Sequence, residues 1–229
     1  MHFLCLKLLE SGYPIMLKTL VSLIFFLFLI FFFFEEKDYL LPTFQMTDSP
    51  EIITKGHFGY SVIVELSYSH PGLAEWIDTL QKPYPLFLVE ENWMERNPEI
   101  VKQLIEQNIE VGLLGSPNEL YENEELLERQ LKRFQATFQQ LPLWFATADY
   151  IVNPQLQKIL HSRGINMIAP TTSITAPNLQ VEDGDFISIP IHREQFTSFK
   201  TINEFIKQHN FISIEENVFG YKVSTKRYP

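Results

Sequence analysis

The sequence is poor in cysteine, glycine and positive charge. Cys5 is the only cysteine in 229 residues, which excludes a structural disulfide, a thiolate zinc site and a thiol nucleophile from the rest of the chain. The nine glycines form neither a phosphate-binding loop nor a Gly-x-Ser-x-Gly turn, and no His-Glu-x-x-His motif occurs. With 18 Lys and Arg against 28 Asp and Glu, the formal net charge is -10, which argues against nucleic acid as a partner.

The long apolar run of the sequence lies near the N-terminus. Residues 19–34 carry no charge and would extend about 24 Å as a helix, slightly less than the thickness of a bilayer core. Lys7 and Lys18 precede the run and acidic residues follow it, so the positive-inside rule places the N-terminus in the cytoplasm. The sequence thus predicts a single-pass signal-anchor with the domain outside the cytoplasm. The alternative is secretion after signal cleavage, although the run ends in four Phe instead of the small residues of a cleavage site.

We divide the chain into four segments on this basis. They are a cytoplasmic N-terminus (1–18), the transmembrane signal-anchor (19–34), a polar connector (35–57) and one domain (58–229). Met16-Leu17-Lys18 is also a candidate natural start, in which case residues 1–15 would be an upstream mis-start.

Apolar and turn-forming residues alternate along the domain in a regular pattern. The predicted strands are Ser61–Leu66, Leu86–Val89, Glu110–Leu114, Leu143–Thr147, Asn166–Ala169, Phe186–Ile191 and Phe211–Ile214. The predicted helices are Gly72–Leu80, Glu99–Gln107, Glu122–Gln140, Gln155–Arg163 and Ile202–His209. Strands that alternate with helices of this length indicate βα units on a parallel sheet or barrel.

Several short motifs follow one another at familiar spacings. Glu110-Val111-Gly112 opens a strand, Leu143–Tyr150 is followed by Asn153-Pro154, and Asp183-Gly184-Asp185 leads through a late strand to His192. Their order over roughly residues 60–214 resembles the NodB-homology domain of the polysaccharide deacetylases, the family 4 carbohydrate esterases. The resemblance implies an α/β fold, a distorted and incomplete (β/α) barrel.

The resemblance also implies a metal-dependent reaction, for which this sequence lacks the residues. In the family an Asp and two His bind a divalent metal such as zinc, a second Asp is the base and a late His is the acid. By register, the positions of the two His are Leu114 and Asn118, and Glu65 is the only carboxylate where the family has its Asp pair. We therefore predict a domain with no metal and no cofactor.

The residues that could still act are few. His192, Glu65 and Asp149 are the catalytic candidates, and each of them also has an ordinary structural interpretation. The candidates for lining a substrate groove are Tyr68, Leu114, Asn118 and Tyr150.

Three functions are open at this point. The favoured one is a membrane-anchored, extracytoplasmic, catalytically inactive deacetylase-like domain that binds cell-wall carbohydrate, such as peptidoglycan or another N-acetyl sugar polymer. The second is an active N-acetyl sugar deacetylase that cleaves the C–N bond with a non-standard site. The third is a tethered module that binds a protein.

Overall fold

The computed structural model describes Leu23 and residues 47–174, 179–191 and 198–220. The chain divides into two compact units, Met1–Leu41 and Pro42–Pro229, of which the second contains the sheet. Leu23 is the one described residue of the predicted membrane segment, and it is helical. Among the described residues, no helix has both the length and the apolar composition that a bilayer span requires.

A parallel sheet of eight strands organises the described part of the second unit. The strands are β1 (Ile52–Ile53), β2 (Ser61–Leu66), β3 (Leu86–Glu90), β4 (Val111–Gly115), β5 (Trp144–Thr147), β6 (Asn166–Ile168), β7 (Thr172–Ser173) and β8 (Phe186–Ile191). Their order across the sheet is β1-β6-β5-β4-β3-β2-β8-β7, and every neighbouring pair is parallel. The sheet is curled but open between β1 and β7, which confirms the predicted incomplete α/β barrel.

Helices lie between most of the strands. They are α1 (Leu73–Thr79), α2 (Glu91–Arg96), α3 (Pro98–Glu106), α4 (Glu125–Phe138), α5 (Pro154–Ser162), α6 (Phe199–Gln208) and α7 (Ile214–Phe219), and a short 3-10 turn spans Asn118–Leu120. Five of these helices match predicted ones to within a few residues, whereas α2 and α7 were not predicted.

Alternate residues of each strand enter two different apolar cores. On β2, Val62 and Val64 pack with the helices in the larger core, whereas Ile63 belongs to a smaller core inside the curled sheet. This period of two residues is the ordinary consequence of strand geometry. It directs the neighbouring Glu65 to the inside as well, which the pattern alone did not settle.

Local signals in the sequence explain several element boundaries. Asn153 caps α5 by accepting the backbone N–H of Leu156 at 2.8 Å, and Gly164 follows the helix with a φ of 69°. Gly112 on β4 is required because β5 passes close to its backbone. A Cβ at this position would lie 2.6 Å from the carbonyl oxygen of Trp144 on β5.

The structure differs from the prediction at both ends of the domain. The predicted strand Phe211–Ile214 is wrong, because Ser213 instead caps α7 through the N–H of Glu216 at 3.2 Å. A serine followed three residues later by a glutamate is a helix-start signal that overrides the short apolar alternation. At the other end, β1 lies within the predicted connector and joins the sheet beside β6.

Candidate functional site

The carboxyl ends of the strands carry most of the predicted site residues. Glu65 lies near the end of β2, Leu114 near the end of β4, and Asp149 and Tyr150 follow β5. Because parallel strands end at the same edge of a sheet, these residues surround one mouth of the incomplete barrel.

Glu65 is a buried carboxylate held by two hydroxyl groups. Its side chain faces the barrel interior, and the residue is only 1% exposed. Ser188 Oγ, on the neighbouring β8, donates to Glu65 Oε1 at 2.6 Å. The Tyr150 hydroxyl lies 2.7 Å from Oε1 and 2.8 Å from Oε2 and donates its proton to this carboxylate. Burial of a carboxylate is unfavourable without such donors, so the two hydroxyls stabilise Glu65 in its place.

Tyr150 reaches Glu65 from across the barrel mouth. Its backbone φ is 57°, in the left-handed region that bulky residues seldom adopt. The turn is fixed by two hydrogen bonds, from the Tyr150 N–H to the Thr147 carbonyl at 3.0 Å and from Thr147 Oγ1 to the Ile151 carbonyl at 2.8 Å. Burial, and then the negative charge of Glu65, raise the pKa of the Tyr150 phenol above its ordinary value. The phenol therefore remains a proton donor at physiological pH.

Asp149 and Asn118 form a separate clamp between the loops that follow β4 and β5. The Asp149 carboxylate accepts the backbone N–H of Asn118 at 3.0 Å and that of Ile151 at 3.3 Å. Asn118 Oδ1 in turn accepts the Asn153 backbone N–H at 2.9 Å and its Nδ2 at 3.0 Å. The predicted site residues thus fall into two groups, Glu65 with Tyr150 and Asp149 with Asn118.

Leu114 lies on the inner face of β4 and is buried. It packs in the smaller core, whose members include Leu88, Ala146 and Ile168. The inner face of β4 is therefore apolar at this position.

Solved structures similar to this chain include members of one family. The pseudoenzyme BA3943 of the family 4 carbohydrate esterases, from Bacillus anthracis, matches with a TM-score of 0.59 and 18% identity over 74% of this chain and 69% of that chain. The family 4 carbohydrate esterase PdaA of Bacillus subtilis matches with a TM-score of 0.63 and 11% identity over 75% of this chain and 86% of that chain. The domain has the family 4 carbohydrate esterase fold.

A solved structure of a fungal protein is also similar in fold to this chain. The chitin deacetylase of Colletotrichum lindemuthianum matches with a TM-score of 0.59 and 11% identity over 76% of this chain and 93% of that chain. A comparison with models of protein families finds no match, and a comparison with curated proteins finds no significant one. Identities this low show the likeness in fold, which confirms the resemblance at that level.

The metal that the family 4 carbohydrate esterase fold implies does not fit the residues present here. Leu114 has no ligating atom, and the side-chain oxygen of Asn118 is used by Asn153. Among the described residues, no group of three or more His, Cys, Asp or Glu is arranged to hold a metal ion. No catalytic step through a metal is therefore assigned to this mouth.

Three aromatic side chains of the domain differ in their accessibility. Tyr68, after β2, is 41% exposed, and its ring centroid lies 4.8 Å from that of His70. Trp93 and Trp144 are fully buried and belong to the cores. Tyr68 is therefore the aromatic side chain of this group that a sugar ring can reach.

Two further positions complete the comparison with the sequence-based candidates. His192 directly follows β8 but lies outside the described residues, so its role as an acid stays a prediction. Ser188 was not among the predicted site residues. A polar residue within the apolar strand β8 is the signal in the sequence that could have identified it. Its register opposite Ile63 places it beside Glu65 on the inner face.

A second polar cluster lies at the opposite end of the barrel. Glu110, before β4, and Glu215, on α7, line a cavity of about 230 Å³. The Trp144 indole N–H donates to Glu215 Oε1 at 3.3 Å. Desolvation and then the charge of Glu215 raise the pKa of Glu110 to about 8, and the nearby Trp144 indole N–H lowers it by a smaller amount.

Proposed function

We propose that this chain is a membrane-anchored, extracytoplasmic deacetylase-like domain that does not catalyse metal-dependent deacetylation and binds an N-acetyl sugar polymer. The observation that carries the proposal is the apolar Leu114 inside the barrel mouth, at the position of a metal-binding His by register. A leucine side chain cannot bind zinc, and the second position, Asn118, belongs to a structural clamp.

The sugar ligand is inferred from the exposed ring of Tyr68 and from the neighbours in fold. One neighbour is a peptidoglycan N-acetylglucosamine deacetylase, and another is a chitin deacetylase, so those proteins act on polymers of N-acetyl sugars. In this chain, Tyr68 offers an exposed aromatic face after β2, and Glu65 is a buried carboxylate near the end of the same strand. Stacking on an aromatic ring together with hydrogen bonds to hydroxyls suits a sugar.

The membrane anchor and the extracytoplasmic location are part of the same proposal. They are supported by the uncharged run at residues 19–34 and by the lysines that precede it. Protease protection in intact cells tests both. We expect a protease that is added outside the cytoplasmic membrane to digest the domain without cell lysis. A domain that is digested only after cell lysis would contradict the proposed orientation.

The rival hypothesis of an active deacetylase requires Glu65, Asp149 and His192 to meet at one substrate. Glu65 and Asp149 belong to different hydrogen-bond networks, one inside the barrel and one in the exposed loops. The geometry therefore favours binding over hydrolysis by this set of residues.

The experiment combines metal analysis with an assay for turnover. The full chain, purified in detergent with zinc present, is analysed for bound metal and for acetate release from a tetramer of N-acetylglucosamine. We expect less than stoichiometric metal and no acetate above the buffer control. Stoichiometric metal together with acetate release would overturn the proposal.

A matched pair of variants makes the metal test sharper. Leu114→His with Asn118→His restores two imidazoles at the mouth, and we expect it to retain more zinc than the wild-type protein does. Leu120→His with Asn118→His places one of them on an exposed residue of the neighbouring 3-10 turn instead. Equal zinc retention by the two double variants would show that Leu114 is not at a ligand position.

A further inference from the structure

A cavity larger than the one beside Glu110 lies next to helices α1 and α6. Its volume is about 670 Å³, and it is lined by the end of α1, the loop that follows, part of α6 and the segment that leads to α7. Pockets that bind small molecules typically have volumes of about 300–1,000 Å³. Residues 81–83 of the lining precede β3, so the cavity lies toward the amino ends of the strands, away from the barrel mouth.

Two lysines line this cavity without an ion-pair partner in the described part of the chain. Lys82 follows α1, Lys207 lies in the last turn of α6, and both are exposed. Lys55, in contrast, is paired elsewhere in the domain, with its Nζ 3.0 Å from Glu182 Oε2. In a chain with a formal net charge of -10, the cavity thus presents two ammonium groups that are available to a ligand.

The other polar groups of the cavity are mainly hydrogen-bond donors. Among the lining residues that the structure describes, Glu216 is the only acid, and Asn203 and Asn210 contribute side-chain amides. Asn203 Oδ1 accepts the indole N–H of Trp76 at 2.8 Å, so its amide nitrogen remains as a donor. Two ammonium groups and two amides suit a negatively charged ligand with several acceptor oxygens.

Apolar side chains and a fixed histidine ring complete the lining. Leu80, Ile206 and Phe211 contribute hydrocarbon surface. The His209 ring donates its Nδ1 proton to the Phe205 carbonyl at 3.0 Å, and its centroid lies 4.6 Å from that of the Phe205 ring. A wall of this kind can contact the carbon skeleton of a ligand while the lysines bind its charge.

We propose that this cavity binds the phosphate group of a phosphorylated sugar or polyol, with Lys82 and Lys207 as the residues that bind the charge. A phosphate group has three acceptor oxygens, so ammonium groups from two different elements can each bind one of them. A carboxylate is bound best by the planar fork of an arginine, and no arginine is among the described residues of this lining. The site is separate from the barrel mouth and does not require sugar binding there.

The test is a calorimetric titration of the detergent-solubilised full chain with glucose 6-phosphate. Glucuronate, which has a carboxylate at the same end of the ring, and uncharged glucose are the matched ligands. We expect glucose 6-phosphate to bind roughly tenfold more tightly than glucuronate, because it carries more charge and more acceptors, and we expect no measurable binding of glucose.

Variants of the lining assign the binding to this cavity. Lys82→Gln and Lys207→Gln each remove one charge-assisted hydrogen bond, so each should weaken binding of glucose 6-phosphate roughly three- to tenfold. Glu216→Gln removes the acid of the lining and should tighten binding roughly twofold. The control is Lys158→Gln, which removes the same charge from an exposed position of α5, and its affinity should equal that of the wild-type protein.

The outcomes separate this site from the barrel mouth. Failure of glucose 6-phosphate to bind, equal affinity for glucuronate, or equal weakening by Lys158→Gln would overturn the phosphate site. Each of these results would leave the proposed binding of an N-acetyl sugar polymer in place, because a separate titration with the N-acetylglucosamine tetramer measures it. Far-UV circular dichroism establishes the fold of each variant, and methionine replaces glutamine at a lysine position if the glutamine variant is unfolded.

Discussion

The Tyr150 hydroxyl and the Glu65 carboxylate join two strands that do not touch in the sheet. Tyr150 follows β5 and Glu65 lies on β2, with β3 and β4 between those strands. The contact spans 85 positions of the sequence, and the hydroxyl oxygen lies 2.7 and 2.8 Å from the two carboxylate oxygens. It contributes to stability as well as to the shape of the mouth.

Replacement of Tyr150 by Phe should lower the free energy of unfolding. A hydrogen bond to a charged group contributes about 1.5–3 kcal/mol, and we expect a loss of about 1–2 kcal/mol here because the tyrosine is only half-buried. Urea unfolding of the full chain, followed by circular dichroism, measures the loss. Tyr68→Phe alters an exposed ring at the same mouth and should change the value by less than about 0.5 kcal/mol. Equal losses in the two variants would show that the Tyr150 bond adds nothing.

Replacement of Asn153 by Ala should destabilise the fold through the start of α5. The variant loses the cap on the Leu156 N–H and the side-chain bond to Asn118, which we expect to cost about 1–2 kcal/mol. Asn153→Ser keeps an oxygen that can cap the helix, so its loss should be smaller in the same urea experiment. A serine variant as unstable as the alanine variant would assign the effect to the Asn118 bond instead of the cap.

Glu110 should make the stability of the domain depend on pH. Its pKa of about 8 in the folded state lies above the ordinary value of 4.5, so the folded protein binds a proton that the unfolded chain releases. Stability should therefore fall as pH rises from about 4.5 to about 8, and Glu110 should cause no further loss above that range. Because Glu110 is exposed although it lines a cavity, we expect a smaller effect than for a fully enclosed carboxylate.

Thermal unfolding at pH 5 to pH 9 measures this dependence. Glu110→Gln should flatten the profile, whereas Glu106→Gln, on the exposed surface of α3, should leave the slope of the wild-type protein unchanged. Parallel profiles for Glu110→Gln and the wild-type protein would show that Glu110 does not bind the additional proton.

The sequence was most informative where an element is long and its apolar residues are periodic. The predicted strand Phe186–Ile191 has the bounds found in the structure, and the predicted helix Gln155–Arg163 is shifted by one residue from Pro154–Ser162. β1 and β7 have two residues each, which is too short for any period to appear. Their place in the sheet depends on pairing with distant strands, and local patterns do not encode such partners.

The candidate site was predictable as a set of positions but not as a set of contacts. Leu114 lies on β4, and Asn118 begins the 3-10 turn that follows it, so both positions belong to the same strand-and-loop segment. The division into a Glu65–Tyr150 pair and an Asp149–Asn118 clamp depends on loop conformations, including the positive φ of Tyr150. Adjacent residues of one loop, Asp149 and Tyr150, thus point into different networks, which sequence proximity alone would not indicate.

The short strand β1 protects one edge of the sheet. Ile52 and Ile53 pair with Met167 and Ile168 on β6, and the Ala169 N–H donates to the Ile53 carbonyl at 3.0 Å. Without these two isoleucines, β6 would present unpaired backbone groups along an apolar strand, which is the arrangement that promotes strand addition between molecules and aggregation. A shortened version of the protein that begins at position 58 would therefore expose the backbone groups of β6. We expect it to self-associate more readily, although it keeps nearly all of its core.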